Sequence, residues 1–323
     1  MSKKCYLWII GLVVFLLILT KVGLSNIVFV LSKMRFSYAI LACILTPSLA
    51  LLKASRWRYL LKMQGINYGF KASFLTYLAG MYIGLVTPGR IGELVKVYYL
   101  KQDKRISIGK SLSSILIDRF LDILVLVGFG CLGLFIFSVP QRTTLTIAAL
   151  TGLFAFGWIV VLNRKYGQRI LRFLYKVFFL EKIAHRASNP LDEFYTGVEK
   201  MRNWRLAFPL LVSLFAFFIG FFQCYLISVS LNIPIPFLYL IFCVAIANLV
   251  SLIPISVAGI GTRDATLIGL FAILGLKAES AVSFSLMYLF VFNISLALMG
   301  LPAWWKKSAA YALKKQNERE PNG

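Results

Sequence analysis

The sequence predicts an all-α polytopic membrane protein, with six transmembrane helices plus two re-entrant helical hairpins, laid out as an inverted repeat of two halves. Three observations lead there. The 323 residues are 59% hydrophobic, only 15% charged, and have a mean hydropathy of +0.81. A soluble domain of this length would expose far more charge. Several apolar runs approach or exceed the ~18–20 residues needed to cross a ~30 Å hydrocarbon core. Evenly spaced alternating strands are missing, which argues against a barrel.

Six runs read as spans: about 6–24, 36–52, 111–138, 143–162, 206–231 and 281–301. The first, Tyr6 to Leu24, has no small-residue cleavage site, so it reads as a retained anchor and not a signal peptide. Two further apolar segments behave differently. One, about 70–86, is broken by Thr87-Pro88-Gly89. The other, about 235–253, ends at Ile253-Pro254 and is followed by a run at about 265–276, too short to cross alone. Between the fourth and fifth spans lies a basic loop, 163–205, whose stretch RILRFLYKVFFLEK has the helical spacing of an amphipathic interfacial helix. Pro302 to Lys307, PAWWKK, is an interface anchor of Trp and Lys, and a basic tail follows from about 306 to 323.

Charge sets the orientation, because Lys and Arg near span ends stay cytoplasmic. With Lys3 and Lys4 inside, the segments 1–5, 53–71, 91–110, 163–205 and 302–323 hold 27 of the 35 Lys and Arg. The outer segments keep only Lys21, Lys33, Arg35, Arg142 and Lys277. The assignment requires 70–86 to enter from the cytoplasm and return there. If it crossed fully, Lys96, Lys101, Lys104, Arg105 and Lys110 would all lie outside. By the same logic 235–253 and 265–276 form a hairpin from the outer face. Both termini are then cytoplasmic. The first half is 1–138, with a hairpin at about 70–105, and the second is 139–305, with a hairpin at about 235–276. Each half reads span, span, hairpin, span, and three spans per half invert the second against the first. Inverted repeats with discontinuous helices at their interface are a transporter design.

Several chemistries are excluded or disfavoured. Cys5, Cys43, Cys131, Cys224 and Cys243 have no metal-ligand spacing, and His185 is the only histidine. These read as thiols in apolar helices, so zinc chemistry, a His-based triad and any other metal or cofactor are not expected. A Gly-rich loop ending in Lys-Ser/Thr is missing, so no ATP site is expected. The formal charge of +23 follows from the positive-inside rule and attraction to anionic headgroups, and needs no nucleic acid.

Three constellations remain as candidates for a lipid-headgroup site. The first is Pro88-Gly89-Arg90-Ile91-Gly92-Glu93. Pro88 removes a donor, while Gly89 and Gly92 permit unusual dihedrals and close approach. A short helix should restart near Ile91 and aim its first-turn amides at the break, where partial positive charge suits a phosphate. Arg90 adds a forked donor matched to phosphate oxygens, with Glu93 to position it or to pair with a cationic headgroup. The bland reading is a kinked hairpin whose charges merely snorkel or cap. The second constellation is Ala258-Gly259-Ile260-Gly261-Thr262-Arg263-Asp264, at the corresponding place in the other half. Thr262 is placed to cap the helix at 265–276, and Arg263 and Asp264 repeat the two signs. The third is Asp118-Arg119-Phe120-Leu121-Asp122, where Asp118 and Asp122 share a helix face flanked by Arg119. That face suits Arg90 across a cavity or a lipid headgroup. Its bland reading is an ion-pair cluster that locks helices together.

Together TPGRIGELVKVYYL, DRFLDILVL and IPISVAGIGTRDATLIGLF resemble the flippase-like membrane domain of lysylphosphatidylglycerol synthases, over about residues 5–306. By that resemblance Pro88, Gly89, Arg90, Gly92 and Glu93 match the first hairpin motif, and Asp118, Arg119 and Asp122 the charged helix motif. Gly259, Gly261, Arg263 and Asp264 match the second hairpin motif. Asp118 and Asp264 depart from it, since Glu is frequent at both places in the family. The resemblance implies movement of a phosphate-headgroup lipid between leaflets: aminoacylated phosphatidylglycerol, another phospholipid or a polyprenyl-phosphate-linked lipid. It implies an inner-membrane protein that is not itself an enzyme, with membrane lipids and a separate lipid-modifying enzyme as partners. The chain stops soon after Trp305, so aminoacyl transfer is not expected of it. The competing expectation is a membrane enzyme or accessory subunit acting on polyprenyl-phosphate glycolipids.

Overall fold

The computed structural model describes residues 6–137, 141–169, 190–253 and 256–317. Within them every regular element is helical. Helix α1, Tyr6–Val22, is followed by α2, Leu24–Ser32, and the pair bends by 80° at Gly23. Helix α3, Phe36–Met63, runs on past the expected end at 52 to include Lys53, Arg56 and Trp57. Helix α4, Phe70–Leu85, leads through a 3-10 segment, Pro88–Leu94, into α5, Val95–Lys104. Helix α6 is Ile108–Ile136 and α7 is Gln141–Leu162. In the second half α8, Pro190–Met201, packs on α6, and α9 is Ala207–Ser230. Helix α10, Phe237–Ser251, precedes α11, Thr262–Ile273. Helix α12, Ala278–Tyr288, continues through a π-helical turn, Leu289–Ile294, into α13, Ser295–Asn317.

Four of these helical stretches are long and apolar enough to cross a membrane: Phe36–Met63, Ile108–Ile136, Trp204–Ser230 and Ala278–Tyr311. The bent pair α1 and α2 adds a fifth if it counts as one span. The protein is therefore a multi-pass helical membrane protein. Its outer surface agrees, since Phe135 is 89% exposed and Leu132, Phe156 and Leu298 are exposed with it. Such side chains are comfortable against lipid and costly against water. The amphipathic stretch foreseen in RILRFLYKVFFLEK lies outside the described residues, as do His185 and Cys5.

Helix α10 is apolar on all sides, which suits a helix wrapped by protein. Leu240, Cys243, Ala245 and Ala247 are almost fully buried there, between α6, α9 and α11. Around it, α3 packs on α9, α4 packs on α13, and α1 packs on α11. At the latter contact, Gly11 of α1 faces Gly261. A Cβ on Gly261 would sit 2.1 Å from the Gly11 carbonyl oxygen, so only glycine allows this crossing.

Candidate functional site

The first break is built by α4 and α5 packed side by side. After Val86 the chain turns at Thr87, and both Gly89 (φ 58°) and Arg90 (φ 57°) adopt left-handed backbone. A left-handed arginine costs roughly 1–3 kcal/mol and persists only where the surroundings require it. The helical path resumes as a tight 3-10 turn, and α-helix begins only at Val95, not near Ile91. The Gly92 N–H is not open either. It donates to Thr87 Oγ1 at 2.7 Å, so the break caps itself with a threonine. A Cβ on Gly92 would stand 2.4 Å from the Ile83 carbonyl, which keeps this turn tight against α4.

The charged side chains beside this break form one buried network. Arg56 on α3 sits between the two α6 carboxylates. Its Nη2 is 2.7 Å from Asp118 Oδ1, and its Nη1 is 2.6 Å from Asp122 Oδ1. Arg56 also donates to Ser213 Oγ at 2.6 Å. Lys53 reaches Asp122 at 3.2 Å. Arg119 bridges Asp118, Asp122 and Glu93 at 3.1–3.3 Å, and donates to the Tyr77 hydroxyl at 3.3 Å. Glu93 takes Lys96 at 2.9 Å, one helical turn along. The rings of Tyr77 and Trp57 cover the Lys96 ammonium at 4.5 Å and 5.5 Å. Arg56, Lys96 and Asp118 are fully buried.

This arrangement corrects three expectations. Glu93 does not position Arg90 but holds Arg119 and Lys96. The Asp118 and Asp122 face turns to Arg56 and Lys53, not to Arg90. Lys53, Arg56 and Lys96, counted among the cytoplasmic surface charges, lie inside the helix packing. A charge pair inside packed helices demands good geometry, since desolvation alone costs several kcal/mol per ion. The network supplies four cations for three carboxylates, each within hydrogen-bonding range of another member.

At the second break Ala258 (φ 53°), Gly259 (φ 76°) and Gly261 (φ 85°) carry the left-handed turns. Helix α11 begins at Thr262, three residues before the expected 265. Thr262 is not its cap. Asp264 is, because its Oδ2 accepts the Gly261 N–H at 2.6 Å. Asp264 is buried and used structurally, while the Thr262 hydroxyl bonds Ser256 Oγ at 2.8 Å. Arg263 is 3% exposed. It donates from Nε to Ser285 Oγ at 2.8 Å and from Nη2 to the Ser285 carbonyl at 3.2 Å, and lies 4.6 Å from the Tyr288 ring.

The two breaks meet. Gly89 and Arg90 from the first share a small recess with Gly259 and Arg263 from the second. Asn248, Ser251 and Tyr288 line this recess, and the same three also line a larger cavity of about 110 Å³. In that cavity Lys53, Arg90, Arg119 and Asp122 lie at the polar end, and Leu49, Leu126, Phe217, Phe221, Phe292 and Leu296 among the apolar walls. The π-helical turn at Leu289–Ile294 starts directly after Tyr288 and carries Phe292 into the wall. Thus Gly89, Arg90, Gly259 and Arg263 converge, with Arg119 and Asp122 close by. Gly92, Glu93, Asp118, Gly261, Thr262 and Asp264 are not among the described residues lining either space; they brace the breaks and the charge network. Sequence reasoning missed Lys53, Arg56, Lys96, Tyr77, Asn248 and Tyr288. The i,i+3 spacing of Glu93 and Lys96 was a readable signal.

Residues 7–300 match the family described as the lysylphosphatidylglycerol synthase TM region. The chain belongs to that family. Similar curated relatives are UPF0104 membrane proteins of archaea. One from Methanocaldococcus jannaschii is 25% identical over 317 residues, covering 93% of each chain. One from Pyrococcus horikoshii is 25% identical over 310 residues, covering 88% of this chain and 91% of the relative. One from Methanothermobacter thermautotrophicus is 23% identical over 319 residues, with 93% and 94% covered. Both broken elements and the charged face of α6 fall inside the stretch that matches the lysylphosphatidylglycerol synthase TM-region family.

Proposed function

We propose that this protein is a lipid translocase that moves a phosphate-headgroup lipid between leaflets of the cell's inner membrane. The observation that carries the reading is the amphipathic cavity at the junction of the two breaks. Its cationic end suits a phosphate, and its Leu and Phe walls suit the start of an apolar tail. Family membership supports the same reading.

The full topology belongs to this proposal: six spans, two re-entrant hairpins and both termini cytoplasmic. The packing supports an inverted repeat. The second spans of the two halves, α3 and α9, pack on each other. The first limb of each hairpin packs on the last span of the opposite half, α4 on α13 and α10 on α6. A pseudo-two-fold relation exchanges contacts in just this reciprocal way, and rocking of such halves gives alternating access. The protein itself performs no covalent chemistry in this reading, and a separate lipid-modifying enzyme supplies or consumes the cargo.

Leaflet exchange in proteoliposomes tests it. Labelled phosphatidylglycerol, its lysyl form, phosphatidic acid and a polyprenyl phosphate are compared with and without the protein. Protein-dependent exchange of at least one of them is expected, reduced in Arg90→Gln. No exchange of any of the four by folded protein favours an enzyme or accessory role on polyprenyl-phosphate glycolipids.

A further inference from the structure

The charges around the junction do not balance, and the imbalance points to a kind of headgroup. In the network, Lys53, Arg56, Lys96 and Arg119 face Glu93, Asp118 and Asp122. Adding Arg90, Arg263 and Asp264 leaves a formal excess of two positive charges among the described residues at the junction. The excess is localised. Among the described residues neither Arg90 nor Arg263 forms an ion pair, although both line the same recess. Arg263 has only neutral acceptors, Ser285 and the Ala258 carbonyl, and its guanidinium is buried. Arg119 points the same way, because its buried Nε–H has no acceptor. Two neighbouring guanidinium groups without counter-ions are costly to bury. They are pre-organised for an anion that takes both forks.

Among the described residues the single carboxylate in the cavity lining is Asp122, and it already holds Lys53, Arg56 and Arg119. Glu93 and Asp118 are likewise engaged, and Asp264 is committed to its cap. Among the described residues of the network each carboxylate already faces a cation, although Glu93 Oε1 has only its ion pair with Arg119 and no hydrogen bond. A lysyl or other cationic substituent would meet like charge here.

We infer that the junction of Arg90 and Arg263 binds a terminal phosphate, a phosphomonoester or diphosphate with no cationic substituent, in preference to a phosphodiester or an aminoacylated headgroup. A phosphomonoester carries about −1.5 to −2 charges at pH 7, which matches the excess. A phosphodiester has one ionisable oxygen and leaves part of it uncompensated. This rests on the translocase reading for the apolar part of the ligand, and the phosphate chemistry stands without it.

The test uses the full chain in nanodiscs of a zwitterionic lipid. Binding is measured for phosphatidic acid, phosphatidylglycerol and lysyl-phosphatidylglycerol, with inorganic phosphate and pyrophosphate as soluble competitors. Phosphatidic acid should bind about tenfold or more tightly than phosphatidylglycerol, a difference of about 1.4 kcal/mol, and lysyl-phosphatidylglycerol more weakly still. Pyrophosphate should compete, but more weakly than the lipid if the apolar walls contribute. Competition as strong as the lipid's would keep the phosphate site and make its source a soluble phosphate. In Arg90→Gln and Arg263→Gln the preference between the two anionic lipids should shrink towards unity. Equal or tighter binding of phosphatidylglycerol or its lysyl form by wild-type protein overturns the inference, whatever the variants do. Leaflet exchange in the same preparation separates the two claims. Exchange of phosphatidylglycerol as fast as phosphatidic acid removes the selectivity and leaves the translocase. Selective binding of phosphatidic acid without exchange leaves the site and removes the translocase.

Discussion

Arg56 shows how a residue's meaning depends on what packs against it. In the sequence it is one of five basic residues just beyond an apolar run, the usual signature of a cytoplasmic edge. In the fold it is buried between Asp118 and Asp122 and is the tightest contact of each. Removing it takes the closest cation and a short hydrogen bond from each of two buried carboxylates, leaving Asp118 to Arg119 and Asp122 to Arg119 and Lys53 at 3.1–3.3 Å. Arg56→Ala should therefore cost about 3–5 kcal/mol of stability, visible as a large drop in the thermal midpoint of the detergent-solubilised protein. A midpoint unchanged within error would mean that water or a lipid already screens this pair. Arg90 should behave oppositely. Its guanidinium has no carboxylate within ion-pair range among the described residues, so Arg90→Gln should leave the midpoint nearly unchanged while weakening the phosphate and exchange readouts.

The broken elements owe their shape to a few backbone positions. Prolines and glycines at both breaks were legible, because Thr-Pro-Gly after an apolar run cannot continue a helix. How each break satisfies its own amides was not legible. The first uses Thr87 against Gly92 N–H, and the second uses Asp264 against Gly261 N–H. Both devices depend on the local turn geometry, which residue types alone leave open among several caps. Helix α1 adds a constraint from far along the chain. Gly261 combines φ 85° with contact to the Gly11 carbonyl, so Gly261→Ala should both strain the turn and push α1 away. The expected loss is about 1–3 kcal/mol for the backbone conformation, with the steric displacement added. Thermal unfolding measures it, and Gly269→Ala, which meets open space in α11, is the control.

At the scale of the whole molecule α10 is enclosed by α6, α9 and α11, and the two breaks are brought face to face. The topology proposal predicts opposite sides for two exposed turns. A single cysteine in place of Lys104, at the end of α5, should react with an impermeant maleimide only from the cytoplasm. One in place of Gly275, just after α11, should react only from outside. Because Cys5, Cys43, Cys131, Cys224 and Cys243 are native cysteines, the measurement needs a background in which all five are replaced. Labelling of both positions from the same side would end the inverted arrangement, while leaving the phosphate site to be judged by its own binding test.

The class of the protein and the two breaks were written in composition and local chemistry. Apolar runs of membrane length, and helix-breaking residues at matching places, act over a few turns and can be read one segment at a time. So could the identity of Arg90, Arg119, Asp122 and Arg263 as charges in an apolar setting. Which charges meet depends on packing between distant helices. Arg56 and Asp118 are 62 positions apart, and Arg90 and Arg263 further still, so no local pattern pairs them. The fold neutralised one group of charges internally and left two arginines without an ion-pair partner among the described residues. A buried charge is satisfied by whichever partner the tertiary structure brings within reach, and sequence spacing does not encode that distance.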